Sequence, residues 1–127
     1  MMKSTLFETP KWYWSRGLHD AIVKSVHLKE FSFNHRDKNQ IRNSLIIEVD
    51  SRCAMYDSTI CTIRFININK KALDNLELSS LIGSWWIQDD LSFCQNKRKW
   101  TIKIFFGKTK TKTVSLNFCF DYVEINQ

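Results

Sequence analysis

The sequence predicts a mainly β protein, an antiparallel meander of about six or more strands that curls into a sandwich or open barrel. Three observations support this fold class. Apolar and polar residues alternate along most of the chain, which is the pattern of strands with one buried face. These stretches are short and closely spaced, without the strand–helix alternation of a parallel sheet. The 5 Trp, 3 Tyr and 9 Phe residues supply the large side chains that a curled sheet encloses.

The chain of 127 residues is expected to form one domain over residues 1–127. Hydrophobic residues make up 43% of the chain, which is enough for a core at this size. No apolar run approaches the ~20 residues of a membrane helix, and residues 1–10 lack the apolar stretch of a signal peptide. The expectation is therefore a cytoplasmic protein without a membrane partner.

Four stretches have the clearest period-two alternation and are predicted to be strands. They are residues 45–50, 61–65, 100–106 and 114–120. The last two stretches are separated by residues 107–112, where Gly107 permits the positive φ that many hairpin turns require. These two strands are therefore expected to pair antiparallel.

The stretch 21–33 is predicted to be a longer, irregular strand, because its apolar residues change parity partway along. Such a change marks a bulge or a bend, which is expected within residues 24–29. A similar change after Phe120 predicts a bend in the last strand. Residues 34–43 are mostly polar and lack a strong pattern, so they are predicted to form a hairpin loop.

One segment departs from period two and predicts one short helix near residues 70–82. Leu73 and Leu76 are three residues apart, as on one face of a helical turn. Asn69 is a suitable N-cap and Gly83 a suitable stop. The segment is expected to lie over one end of the sheet.

The net charge is +6, from 19 Lys and Arg residues against 13 Asp and Glu residues. Residues 97–112, called the basic stretch below, contain seven of the basic residues and no acidic one. A positive field of this kind favours an acidic partner, either a phosphate backbone or an acidic protein surface. Lysines at a strand edge also prevent edge-to-edge aggregation, so both interpretations of the basic stretch stay open.

The four cysteines, Cys53, Cys61, Cys94 and Cys119, show neither CxxC spacing nor zinc-type clustering. Cys61 has the apolar parity of its strand and is expected to be a small buried residue. A disulfide between Cys53 and Cys61 across a hairpin would need an oxidising compartment. Free thiols are therefore the expectation.

No motif in the chain predicts catalysis, a cofactor or a metal site, and the protein is expected not to be an enzyme. His19 and Asp20 are adjacent, but neighbouring residues on an extended chain point to opposite faces and cannot easily act on one proton. Asp20 is better interpreted as a turn or capping residue. The three histidines are spaced by eight residues, without an HxH or HxxxH pattern. Phosphate-binding and nucleotide motifs are missing from the sequence as well.

Residues 85–91 combine two tryptophans with two adjacent carboxylates. In a regular strand Asp89 would share the apolar face with Trp85, which is costly unless the carboxylate is paired or hydrated. Either a turn or bulge at the two carboxylates removes this cost, or Asp89 is paired with a cation such as Arg64, and the turn is the favoured interpretation. A functional interpretation instead makes Trp86 an exposed anchor beside carboxylates, a type of patch that dominates protein interfaces.

The stretch from Trp14 to Val23 (WSRGLHDAIV) resembles the opening of small β-rich bacterial immunity proteins of contact-dependent growth inhibition and related polymorphic toxin systems. The later course of strands, with one helical interruption and a terminal aromatic strand, is similar to the same family. The resemblance implies a cytoplasmic protein without catalysis that neutralises one cognate toxin by tight binding. The positive net charge departs from the common acidic immunity protein. It implies either an acidic toxin surface or a local acidic patch on this chain.

The leading hypothesis is an immunity protein, a monomer or weak homodimer, that occludes the surface of its toxin. The candidate toxin-binding residues are Glu48, Asp50, Trp86, Asp89, Asp90, Lys97, Arg98, Lys108, Lys110 and Lys112. The alternative is a nucleic-acid-binding β-barrel that uses the basic stretch. A third hypothesis, a barrel that holds a small apolar ligand, requires an interior that side chains do not fill.

Overall fold

The computed structural model describes residues 2–3, 18–35, 38–50, 60–74 and 76–126. The strands are β1 (Met2–Lys3), β2 (Ile22–His35), β3 (Lys38–Asp50), β4 (Ile60–Ile66), β5 (Trp85–Cys94), β6 (Lys99–Gly107), β7 (Thr113–Phe120) and β8 (Tyr122–Asn126). They form one antiparallel sheet of eight strands in the order β1-β8-β4-β3-β2-β5-β6-β7. The predicted mainly β fold class is confirmed.

The sheet divides into two layers. β2, β3, β4 and β8 form the first layer, in which Leu45 lies opposite Phe65 and Phe65 lies opposite Val123. β5, β6 and β7 form the second layer, in which Ile104 lies opposite Leu116. These five apolar side chains are buried, because the period-two alternation of each strand turns one apolar face towards the other layer.

Within the described residues, the two layers are joined directly at two places, in addition to the segment that links β4 to β5. β2 and β5 pair at Ile22 and Trp85, and next to this pair the N–H of Val23 donates to the carbonyl of Ser84 at 2.8 Å. At the second place the chain passes from β7 to β8 across the single residue Asp121. Since β7 pairs with β6 while β8 pairs with β4, Asp121 marks the corner where the chain changes layers. This corner is the predicted bend in the last strand.

Asp121 binds several elements together at this corner. Its Oδ2 accepts a hydrogen bond from Nδ2 of Asn67 at 2.8 Å, and its Oδ1 lies 3.1 Å from Nζ of Lys99. Nη1 of Arg42 lies 3.6 Å from Oδ2. The side chain of Asp121 therefore connects β3, the end of β4 and the start of β6 through charge-assisted contacts.

The centre of the sandwich is filled by aromatic side chains. Phe65 of β4 contacts Phe118 and Phe120 of β7 edge to face, with ring centroids 5.0 and 5.1 Å apart. Within the second layer, Trp86 and Phe106 make a further edge contact at 5.5 Å. All five side chains are at most 1% exposed. Rings from opposite layers occupy the space that a small-ligand barrel would leave open, which argues against that hypothesis.

The bulge predicted within residues 24–29 lies at the start of that range. The register between β2 and β3 shifts between Val23 and Ser25, so that Lys24 is the extra residue. Val23 and Val26 are both buried although they have opposite parity in the sequence. The bulge therefore accounts for the parity change, because it returns the apolar residues of β2 to the core face.

The hairpin loop predicted over residues 34–43 is wrong in extent. β2 and β3 stay paired out to His35 and Lys38, whereas the described pairing of β4 with β3 ends at Ser44. The outer part of this ribbon continues beyond the neighbouring strand. Burial does not impose an alternating pattern there, and Ile41 is 72% exposed.

The helical segment predicted near residues 70–82 consists of two 3₁₀ turns, Lys70–Leu73 and Leu78–Leu81. Each turn buries one leucine against the core. The side chain of Asn69 does not cap the first turn. Its Oδ1 instead accepts a hydrogen bond from the N–H of Cys119 at 2.7 Å, which attaches this segment to β7.

We expect Gly107→Ala to lower the free energy of unfolding by about 1–3 kcal/mol, because the ring of Trp85 lies against this glycine. A Cβ atom at position 107 would overlap Cε2 and Cζ2 of Trp85. Urea denaturation measures the loss. In a Trp85→Ala background the ring is absent, and the glycine substitution should then cost less than about 0.5 kcal/mol. An equal cost in both backgrounds would show that the ring is not the cause.

Candidate functional site

Trp86 is fully buried, so the prediction of an exposed anchor at this residue is wrong. The register of β5 against β6 shifts between Trp86 and Gln88, which places Trp86 on the core side together with Asp89. The indole Nε1 donates a hydrogen bond to Oδ2 of Asp89 at 2.9 Å. The bulge brings the Asp89 carboxylate to the core side of β5, and the indole of Trp86 supplies it with a hydrogen-bond donor there. The predicted turn at Asp89 and Asp90, and the alternative pairing with Arg64, are therefore both wrong. β5 continues past both carboxylates.

The four candidate acidic residues are not brought together. Glu48 and Asp50 lie on β3, where Asp50 is only 9% exposed. Asp89 and Asp90 lie on β5, in the other layer. The ladders place Asp50 level with Trp85, and Asp89 lies three ladder steps beyond Trp85, so the β5 carboxylates lie at least about 10 Å further along the strand. The fold therefore does not form the local acidic patch that the resemblance left open.

The basic stretch divides into two groups at opposite ends of β6. The first group, Lys97 and Arg98, lies in the turn between β5 and β6. The second group lies in the predicted turn between β6 and β7, where the N–H of Lys108 donates to the carbonyl of Lys112 at 2.9 Å. We call it the lysine tip, which consists of Lys108, Lys110 and Lys112. The nine residues of β6 separate the groups by roughly 27–30 Å.

Carboxylates accompany the basic side chains between these two groups. Lys103 lies opposite Asp90 on the neighbouring strand, and its Nζ is 5.0 Å from the ring centroid of Phe105. Lys99 is held by Asp121 at 3.1 Å. The continuous positive charge seen in the sequence is therefore interrupted on the folded surface.

His19 and Asp20 contact each other, with 3.0 Å between Nδ1 and Oδ2, so the prediction that they point to opposite faces is wrong. Asp20 lies in a turn with φ of 70°, which agrees with its predicted turn role, and not on an extended chain. The side chains are 63% and 55% exposed, and an exposed pair of this kind is by itself no catalytic site. His19 and Asp20 belong to the stretch from Trp14 to Val23 that resembles immunity proteins, and residues 14–17 of that stretch lie outside the described residues. The described part of the chain contains no group of three His, Cys, Asp or Glu residues that could hold a metal ion.

A groove with a volume of ≈ 290 Å³ crosses the outer face of the first layer, and we call it the outer groove. Its floor consists of Ser44 on β3 and Ile66 on β4, which are 3% and 8% exposed. Lys29 and Phe31 border it on β2. The hydroxyl of Ser44 donates to the carbonyl of Lys29 at 3.3 Å, which joins the floor to this border.

The opposite border of the outer groove carries both signs of charge. Tyr122 and Glu124 line it on β8, and Arg64 lines it on β4. Nη1 of Arg64 lies 3.9 Å from Oε2 of Glu124, with side chains 45% and 19% exposed. The outer groove therefore combines an apolar floor and two aromatic rings with two cations and one carboxylate.

The sequence contains a signal for the outer groove that its period-two pattern concealed. Ile46 and Ile66 lie at positions whose parity faces away from the core, yet they are only 7% and 8% exposed. Tyr122 lies opposite Ile66 on the same outer face. Apolar residues at outward positions of neighbouring strands indicate a covered or recessed surface, but their adjacency depends on strand order.

We expect the thiol of Cys61 to resist alkylation at pH 8 in the folded protein. Burial raises its pKa from 9.0 to about 11, because the thiolate is poorly solvated in the core. Below pH 9 the ionisation of this thiol does not change the free energy of unfolding. From pH 9.0 towards 11 it lowers the free energy of unfolding, because the thiol ionises first in the unfolded state. Mass spectrometry after iodoacetamide treatment measures the reaction. Cys94 and Cys119, which are free and half-buried, should react before Cys61, and equal rates would contradict the expectation.

The free state of Cys61 agrees with the prediction of free thiols, and Cys53 lies outside the described residues.

Among the helical turns of the described residues, none has the length and apolar character needed to cross a bilayer. Comparison with known proteins finds no matching family model, curated protein or solved structure. The function is therefore inferred from the geometry of the described surface.

Proposed function

We propose that this chain is a cytoplasmic protein-binding domain that neutralises a cognate toxin by covering part of its surface, as an immunity protein does, without catalysis of its own. The outer groove is the observation that carries the proposal. Its apolar floor is bordered by side chains of both charges on an outward face. This composition suits protein recognition, because buried apolar area supplies affinity while complementary charges select the partner.

A protein partner is favoured over a nucleic acid because carboxylates accompany the cations on the described surface. Glu124 borders the outer groove beside Arg64, and Asp90 lies opposite Lys103. Channels for single-stranded nucleic acid instead present a positive groove that follows the phosphate backbone.

Co-expression with the product of the adjacent gene tests this function. The two proteins should elute from a sizing column as one complex, and this chain should restore growth to cells that the neighbouring protein inhibits. A protein from an unrelated locus serves as the binding control. A neighbour that is not toxic, or that does not bind, would overturn the proposal.

Nucleic-acid binding is the second candidate, and the lysine tip is the observation that favours it. Oγ1 of Thr109 accepts a hydrogen bond from the N–H of Lys112 at 3.0 Å, which orders the turn that presents these lysines. Lys110 and Lys112 are exposed and no acidic residue lies in the turn. Phosphate contacts from such a turn would make affinity fall steeply with salt.

Retention on a DNA column decides this second candidate. The triple variant Lys108→Glu, Lys110→Glu and Lys112→Glu should elute at lower salt than a variant with the same net charge in which three other exposed lysines, Lys24, Lys70 and Lys71, are replaced by glutamate. Equal elution of the two variants would remove the lysine tip as a binding site, because only overall charge would then matter.

A further inference from the structure

We propose that the outer groove binds an acidic segment of the partner protein, in which one apolar side chain is flanked by carboxylates. This inference rests on the proposed function, since it assigns the chemistry of the partner at the same site. It is built on the size of the outer groove, the placement of its apolar surface and the positions of its three charged side chains.

The size of the outer groove suits a single anchoring side chain. Its volume is ≈ 290 Å³, at the lower limit of the ~300–1,000 Å³ typical of pockets for small molecules. It lies on an outer sheet face and draws on four strands. A segment of a protein chain can cross such a face and insert one side chain, with its neighbours remaining at the borders.

The apolar surface determines what that side chain is. Ile66 forms the buried apolar part of the floor, and the rings of Phe31 and Tyr122 stand on the two opposite borders. The hydroxyl of Ser44 is already donated to the carbonyl of Lys29, so the floor has little need of a polar group from a ligand. An aromatic or large aliphatic side chain therefore fits the centre of the outer groove.

The cations determine what flanks the anchor. Lys29 lies in the cross-strand row of Ser44 and Ile66, and Arg64 lies in the next row, so their Cα atoms are about 12 Å apart. Two long side chains over this distance can reach one extended segment from two directions. Arg64 keeps free donor directions while Nη1 faces Glu124, since a guanidinium has five N–H groups. Both cations therefore favour carboxylates beside the anchor.

Glu124 makes the two borders of the outer groove differ in charge. It is the one carboxylate that lines the outer groove among the described residues, and it lies on the β8 border, 3.9 Å from Arg64. A ligand carboxylate close to β8 would be repelled, whereas one towards β2 meets Lys29. The charge of the whole chain, +6, acts in the same sense and draws acidic surfaces to it.

Three peptides test the proposed chemistry on the full chain. The first is a blocked heptapeptide, Gly-Ser-Glu-Phe-Glu-Ser-Gly; in the second, alanine replaces phenylalanine, and in the third, lysine replaces both glutamates. Two-dimensional amide NMR titration should show that the first peptide shifts resonances of β2, β4 and β8, and that both controls bind at least about tenfold more weakly. Equal binding of the three peptides, or no binding of the first, would overturn the inference.

Variants of the chain locate the binding. Lys29→Glu and, separately, Arg64→Gln should each weaken the first peptide by about tenfold or more, whereas Lys110→Glu, a charge reversal at the lysine tip, should stay within about twofold. Lys29 is exposed, so its variant is expected to fold, and thermal melting checks both proteins. Unchanged affinity in a folded Lys29→Glu variant would exclude the outer groove. A dimer of the free chain that Lys29→Glu dissociates would also overturn the inference, because a second copy would then be the occupant.

The peptide assay tests the inference about the outer groove, and the co-expression assay tests the proposed function, so either claim can fail while the other stands. If the toxic partner binds wild type and Lys29→Glu equally, the inference about the outer groove is wrong and the proposed function stands. If the acidic peptide binds in the outer groove but no toxic neighbour is neutralised, the proposed function is wrong and the site remains. Loss of both partner binding and peptide binding in Lys29→Glu, with Lys110→Glu unaffected, supports both.

Discussion

Phe65→Ala should lower the free energy of unfolding by about 3–5 kcal/mol, one of the largest losses expected from a single substitution in this chain. Phe65 is fully buried on β4, and its ring contacts Phe118 and Phe120 across the interior at 5.0 and 5.1 Å. The substitution removes the ring that joins the two layers and leaves a cavity between them. Urea denaturation followed by tryptophan fluorescence measures the change.

Phe105→Ala is the matched control for this prediction. Phe105 belongs to the second layer but lies on its outer face, half-buried, with Nζ of Lys103 5.0 Å from the ring centroid. The same change of side chain should cost about 1 kcal/mol or less there. If the two substitutions destabilise equally, the interior does not lie between the two layers at Phe65.

Trp86→Ala should cost about 3–5 kcal/mol as well, because Trp86 is a core residue and not an exposed anchor. Its ring is fully buried and packs on Phe106 at 5.5 Å. Its Nε1 donates to Asp89, so truncation also leaves that carboxylate without this donor. Chemical denaturation of the purified variant, together with partner binding measured on the folded fraction, separates a core role from an interface role.

Trp86→Phe serves as the conservative comparison. Phenylalanine keeps most of the buried ring and loses the N–H group that Asp89 accepts, so a smaller loss of about 1–2 kcal/mol is expected. A Trp86→Ala variant that keeps its full stability while partner binding disappears would restore the exposed anchor and contradict the observed burial.

The elements predicted from the sequence are those whose pattern is local. The strand at residues 100–106 was predictable because each inward residue, from Trp100 to Phe106, must be apolar to be buried, and neighbours on the other face need not be. The hairpin that follows was predictable from the polar residues after Gly107. The positive φ expected at Gly107 is wrong, because this glycine is the last extended residue of β6. The bulge at Lys24 was predictable because an extra residue in a strand shifts all later apolar side chains to the opposite parity.

The errors lie where an assumed backbone geometry was wrong or where burial imposes no pattern. His19 and Asp20 meet because a left-handed φ at Asp20 replaces the extended geometry on which the prediction relied. Trp86 was predicted at the surface but lies in the core, because a one-residue register shift changes which face of the sheet a side chain occupies. The ribbon formed by β2 and β3 was mistaken for a loop because its outer part has no core to alternate against.

The sequence by itself determined a β protein with a large aromatic core and an excess of positive charge, since alternation and composition follow from each residue's own burial and charge. The tertiary structure alone decided that β8 pairs with β4, that the two layers meet at Asp121, and that Lys29, Arg64 and Glu124 border one groove. The physical reason is the distance along the chain over which the interacting residues are separated. A period-two pattern records whether a residue is buried, whereas strand order depends on contacts between residues far apart in the chain, which nothing in their immediate neighbours encodes.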